Sequence, residues 1–498
     1  MKDIINKYLV DKITRFLVNI FKLNEAEIDF VEKLISLSII NLFLILITMF
    51  NKVHILNIVI MIIYTIYVTK KDSDEILLNT IIFFVASSFL IENFWYATHI
   101  SINTYAFYLK PILMMIIVFK ILREREKYKG LIKDPVVLLI ILLACINLLR
   151  IFLGGYSLND FINGFYSYFI IFTFYLFAAI NKFEYKYLYI TMLLAQLPLV
   201  LFELLIYKDQ DQITGIFGLH ATNWSMLIIS ISIYYIFTMY MQKQVKIRRF
   251  IFILIYTFCI FMINETKMAF FIIPLSLLIL ILCNKDSLKK KIKIISFIIM
   301  TSLICMIGII KIYPSFENIL FNPKMIADYV FKQHSGFYQY NRYENLVFTN
   351  DVFLSETIDK FIGIGQGSAI PDRELSLDLY SRGRYFTDTP NSSKYNEYKL
   401  WGYHQSSLNT MFIDIGIVGV AIYILIITFM IYKSMKIYLK SIDFQDKALG
   451  MAYTLYAIGW IFEFWYTDVF YIVNSSMFFW VFSGIIHMKY SKLKSITE

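Results

Sequence analysis

The chain has 498 residues, 58% hydrophobic and 17% charged, with a formal net charge of +10 and a mean hydropathy of +0.63. That balance excludes a water-soluble globule, whose polar coat needs more charge than this sequence holds. It leaves a polytopic membrane protein, all-α because lipid offers an exposed backbone no hydrogen-bond partner.

In chain order, residues 1–33 are polar and amphipathic, with no apolar run leading to a small-residue cleavage site. The reading is an uncleaved segment on the cytoplasmic membrane surface. Fourteen apolar stretches follow, each near the roughly 17–25 residues that cross a ~30 Å hydrocarbon layer. They are 34–50, 53–69, 75–91, 103–122, 135–153, 161–180, 187–207, 223–241, 249–264, 266–283, 292–312, 408–432, 448–466 and 469–488. The second, ninth and tenth are short for a span.

The connections "REREKYKGLIK" (123–133), "QKQVKIRR" (242–249), "NKDSLKKKIK" (284–293), "KSMKIYLKS" (433–441) and the tail "KYSKLKS" (489–495) gather the positive charge on one side. Short basic loops stay in the cytoplasm, so both termini are expected there. The charge is then a topology signal, and no nucleic-acid partner is expected. Cys145, Cys259, Cys283 and Cys305 lie in or at the ends of spans without CxxC spacing, which argues against a disulfide or a metal site.

The organisation is membrane helices over 34–312, an extracytoplasmic loop over 313–407, membrane helices over 408–488, and a cytoplasmic tail over 489–498. A loop of that length with many aromatic residues is expected to fold and to carry function. It holds Arg342, Arg373, Arg382, Arg384 and His404. Within it "NRYENLVFTNDVFLSETIDKF" (341–361) spaces Tyr343, Val347, Leu354 and Ile358 as on an amphipathic helix opening at Arg342. "GIGQGS" (363–368) follows, with Gly363, Gly365 and Gly367 able to take unusual dihedrals and bring backbone N–H groups near an anion.

An arginine, an amphipathic helix, the "GIGQGS" turn, a variable insert and then "HQSSLNTMFIDIGIVGVA" form an order that resembles the O-antigen polymerase and ligase superfamily of bacterial envelope enzymes. The resemblance covers roughly residues 215–430. Within it "TGIFGLHATNWSMLI" (214–228), with Asn223, is similar to the family's outer entry into a helix. "NETKMAFFIIPL" (264–275) is similar to a short outer turn in which the family has arginine and this chain has Lys267. Lysine keeps the charge and loses the bidentate fork.

The resemblance implies a metal-independent, cofactor-free glycosyltransferase acting on polyprenyl-diphosphate-linked oligosaccharides at the outer face of the bacterial cytoplasmic membrane. The donor and acceptor would both be undecaprenyl-diphosphate-linked, in contact with membrane lipids. A chain-length regulator and a flippase of the same pathway would be the protein partners. Arg342 and Lys267 would neutralise the leaving diphosphate, and His404 would deprotonate the acceptor hydroxyl. Arg150, Asn223, Gly363, Gly365, Gly367 and Asp414 would complete the substrate site.

Each residue also has a plainer reading. His404 sits beside Trp401 and Tyr403 at the depth of an aromatic belt. Arg150 can snorkel to the interface. For His220 and Asn223 the structural reading is the stronger one. The Asp-x-Asp of "KDQDQ" (208–212) reads as solvated acids rather than a metal pair. Polymerase and ligase differ only in the acceptor. The polymerase is the preferred reading, because members of the superfamily diverge strongly with the glycan they join and this chain keeps only the motif skeleton around a long aromatic loop; the ligase is the alternative. Intramembrane Glu203 and Glu463 keep a lipid-linked glycan transporter in view.

Overall fold

The computed structural model describes residues 25–98, 105–152, 164–181, 185–206, 213–215, 222–264, 266, 269–283, 288–314, 317, 322, 324, 342–354, 356–366, 406–467, 469–470 and 473–497. Among them the chain is helical and holds no strand. A helix falls at every apolar stretch: α1 (Glu25–Phe50), α2 (His54–Thr69), α3 (Ser73–Thr98), α4 (Tyr105–Arg123), α5 (Pro135–Phe152), α6 (Thr173–Ile180), α7 (Tyr185–Ile206), α8 (Thr222–Met241), α9 (Ile247–Ile263), α10 (Ala269–Cys283) and α11 (Leu288–Ile312). The long connection contributes α12 (Arg342–Phe348) and α13 (Thr357–Ile362), and α14 (Ser407–Lys440), α15 (Phe444–Tyr466) and α16 (Val473–Thr497) close the chain.

Five of these helices contain stretches long and apolar enough to cross a membrane: Ile28–Phe50, Ser73–Ile91, Pro135–Phe152, Lys291–Ile312 and Ser407–Lys440. Large apolar side chains face outward, with Ile55 75%, Phe152 85% and Leu205 87% exposed. A surface of this kind suits lipid rather than water.

Helices approach closely where side chains are small, as expected where dispersion rather than water expulsion drives association. A Cβ on Gly450 of α15 would come within 2.6 Å of the Ser434 carbonyl on α14, and one on Gly484 of α16 within 2.5 Å of the Tyr175 carbonyl on α6. One polar cluster in the interior joins three helices. Asn41 Nδ2 donates to Asn79 Oδ1 (3.0 Å), Asn79 Nδ2 to the Tyr64 hydroxyl (2.8 Å), and Tyr64 to Asn41 Oδ1 (2.5 Å), a closed triangle joining α1, α2 and α3.

Two elements differ from expectation. The segment 341–361 is two helices rather than one: α12 runs into a π-helical turn at Thr349–Phe353, where the Leu354 N–H reaches the Thr349 carbonyl, and Glu356 is extended before α13. Of its expected apolar face only Leu354 is buried, while Tyr343, Val347 and Ile358 are exposed. The break lets Leu354 turn inward. The basic stretch 433–441, expected as a connection, instead continues α14 to Lys440.

Lys433 does not face solvent. Its Nζ lies 2.5 Å from Oδ1 of Asp134, the residue preceding α5, in a pair 5% and 2% exposed. The Tyr175 hydroxyl of α6 donates to Asp134 Oδ2, which His487 Nδ1 of α16 approaches at 3.1 Å. His487 Nδ1 is also 3.0 Å from Lys433 Nζ, and Ser491 contacts its Nε2 at 3.1 Å. Burial pushes the Asp134 carboxyl up, but the His487 hydrogen bond and the Lys433 charge outweigh it and hold the group well below the usual carboxylate range. Four chain segments are thus clamped at the end of α14 that bears the basic connections.

Candidate functional site

The other end of α14 meets the glycine turn. α14 is capped by the Ser406 hydroxyl, which accepts from the Asn409 N–H (3.2 Å), and it breaks at Gly416, where φ is +63° and ψ −174°. A break removes intrahelical donors from the preceding carbonyls, which then need other partners. The turn supplies them. The Ile364 N–H donates to the Ile413 carbonyl (2.9 Å) and the Gly365 N–H to the Asp414 carbonyl (3.1 Å), while the Gly363 N–H closes α13 on Asp359 (2.8 Å).

The glycines are required by this docking. Gly363 and Gly365 have φ of +76° and +125°. A Cβ on Gly363 would overlap the Asp414 carbonyl, and one on Gly416 would overlap the Phe361 carbonyl and the Gly363 nitrogen. Two backbones therefore touch where side chains would hold them apart. The N–H groups of Gly363, Ile364 and Gly365, expected to be available to an anion, are all committed to carbonyls.

Asp414 is fully buried, and the Tyr168 hydroxyl donates to its Oδ2 at 3.1 Å. Tyr168 in turn packs on Tyr423 and Phe470, with ring centroids at 6.1 and 5.7 Å. Arg150 does not reach out to an interface. Its Nη2 is 2.6 Å from Asp359 Oδ1, with the two side chains 10% and 12% exposed. This pair ties the end of α5 to α13, directly ahead of the turn. Behind the turn Gly164 lies against Gln366, where a Cβ would come within 2.6 Å of the Gln366 backbone and Cγ. Arg150, Gly363, Gly365 and Asp414 are thus parts of one junction between α5, α13, the 164–168 segment and α14.

His404, Lys267 and Gly367 lie outside the described residues, as do His220, Arg373, Arg382, Arg384 and "KDQDQ". Arg342 opens α12 and Asn223 is the second residue of α8; their backbones alone are described. Glu203 secures a turn: its Oε2 accepts from the N–H groups of Thr214 (2.8 Å) and Gly215 (2.5 Å), while Gln196 Nε2 donates to the Thr214 carbonyl (2.6 Å). Glu463 is buried on α15. Among the described residues no three His, Cys, Asp or Glu side chains form a group suited to a metal ion.

Asp359, Tyr168, Gly164 and Gln366 also belong to the junction, and sequence reasoning missed them. Asp359 was readable in principle as the one acid of the short helix Thr357–Ile362, a candidate counter-ion for Arg150. Tyr168 and Gly164 carry no signal in a chain with 37 tyrosines and 18 glycines. No family model and no curated protein matches this sequence.

Proposed function

We propose that the protein is a member of the O-antigen polymerase and ligase superfamily that crosses the cytoplasmic membrane about fourteen times with both termini inside. Its activity would be to join polyprenyl-diphosphate-linked oligosaccharide repeat units into a surface polysaccharide at the outer face. The observation that carries the reading is the seating of the "GIGQ" turn on α14 beside Asp414, since these are two of the segments on which the resemblance rests. A helix at each apolar stretch supports the membrane architecture.

In this reading the acceptor hydroxyl oxygen attacks the anomeric carbon of the donor, and the bond from that carbon to the diphosphate oxygen breaks. The hydroxyl proton goes to His404, and polyprenyl diphosphate leaves. Arg342 and Lys267 stabilise its charge as it develops, which lowers the barrier because they hold the departing diphosphate, which gains negative charge as the bond breaks, more strongly than the bound donor. Asp414 and the Arg150–Asp359 pair hold the turn and α14 in register with one another, so their work is positioning.

The test is to delete the gene and run the extracted surface polysaccharide on a gel. Single repeat units on the anchor are expected. Intact polymer stranded on the polyprenyl carrier would make the protein a ligase, and unchanged polysaccharide would refute both.

A further inference from the structure

Gln366, the central polar residue of the turn, is wholly buried, and among the described residues neither its Oε1 nor its Nε2 has a hydrogen-bond partner. Buried side-chain amides in folded proteins are nearly always paired, because water that solvated them in the unfolded chain has to be replaced. The inward placement follows from the backbone. On one side the Gly365 N–H is fixed to the Asp414 carbonyl, and on the other Gly164 leaves no room between the 164–168 segment and the Gln366 backbone. At the same junction Arg150 directs Nη2 to Asp359 while its Nε has no partner among the described residues, and the Tyr423 hydroxyl behind Tyr168 is in the same condition.

We propose that Gln366 is a carbohydrate-binding residue of this site. A carboxamide offers a donor and an acceptor side by side, which matches two neighbouring sugar hydroxyls, one accepting from Nε2 and the other donating to Oε1. Gln366 lies next in the chain to the residue bonded to the Asp414 carbonyl, so a sugar held there lies against the end of the turn that is fixed to α14. The amide then selects for hydroxyl-bearing rings, because a substrate lacking those hydroxyls leaves it unsatisfied. This assignment rests on the functional reading above.

The test compares the purified full-length wild type with Gln366→Met, which keeps length and removes both polar atoms. The KM for lipid-linked repeat unit is expected to rise at least tenfold in the variant, while its thermal midpoint stays level or rises, since an unpaired amide has been removed from the interior. An unchanged KM overturns the assignment. So does a midpoint lowered by several degrees with KM unchanged, which would make the amide a structural hydrogen-bonder. In a second arm, free repeat-unit oligosaccharide should raise the midpoint of the wild type and not of the variant. If that holds while the wild type polymerises nothing, the enzymatic reading fails and Gln366 stands as a glycan-binding residue. If the oligosaccharide raises both midpoints equally, Gln366 is not a glycan ligand, whatever the enzyme does.

Discussion

Replacing Lys433 by methionine isolates the clamp at the basic end of α14. The substitution leaves the stem's volume in place and removes the ammonium 2.5 Å from an Asp134 carboxylate that is 2% exposed. Breaking a buried ion pair from one side costs about 3–5 kcal/mol, because the remaining charge loses its compensation. Asp134 keeps the Tyr175 hydroxyl and His487, so the lower end, about 3 kcal/mol, is expected. Asp134→Asn should cost a similar amount by stranding Lys433 among Tyr175 and His487. The double variant, with both charges gone, should return to within about 1 kcal/mol of the wild type, since an uncharged pair of similar volume leaves no buried charge uncompensated. Unfolding in mixed micelles on titration with an anionic detergent reads this directly by tryptophan fluorescence: the Trp480 ring on α16 lies 6.1 Å from the Tyr175 ring of the cluster. Single variants within about 1 kcal/mol of the wild type, or a double variant as unstable as the sum of the singles, would refute the claim that this pair is a coupled unit. The same pair sets a pH limit. The folded-state carboxyl of Asp134 is held below its unfolded value of about 3.9, so its contribution is present above that pH and is lost as pH falls through the folded value. Acid destabilisation should therefore steepen below about pH 4 in the wild type and be shallower in Asp134→Asn.

Gly416→Ala should detach the turn from α14, because its Cβ meets Phe361 and Gly363 backbone atoms that no side-chain rotation can clear. The protein should insert at normal abundance and lose polymerisation, and full activity would show that the contact is dispensable. Arg150→Asp should be inactive and Arg150→Asp with Asp359→Arg partly active; failure of the exchange to rescue would mean that Arg150 does more than hold Asp359. His404→Ala should lower the rate by ~10²–10⁴-fold at equal abundance, as loss of a general base does; a variant retaining more than about a tenth of the rate would pass the role to another residue. A cysteine at Ser392 should react with an impermeant thiol reagent in intact cells and one at Ser287 should not, the reverse result overturning the orientation.

Helix positions were legible because apolar stretches in this chain are long and their ends are charged, and each coincides with a helix. The ends themselves were less legible. Lys433 heads a basic run, and nothing in the sequence tells a lysine that marks topology from one that turns back to meet Asp134, 299 residues earlier. At the site, Gly363, Gly365 and Asp414 were readable because a turn and an acid in an apolar stretch are conspicuous, and they do meet. What the turn does with its N–H groups was not readable, since their acceptors are carbonyls freed by a break at Gly416, and a break in a helix is a tertiary event. The division of 341–361 into α12 and α13 escaped for a related reason: helical spacing continues across Thr349–Phe353, where the winding loosens to π geometry.

The contrast between two polar groupings bears on the order in which this chain is built. Asn41, Tyr64 and Asn79 lie within 38 residues, so their triangle can close as soon as the third helix leaves the insertion machinery. Asp134 has no such early partner in Lys433. Through the synthesis of 299 further residues it waits for that lysine, and for His487 beyond it. Nascent chains cut short before residue 433 would lack the lysine that compensates this buried acid, so this end of the bundle cannot reach its full stability until the C-terminal helices are made.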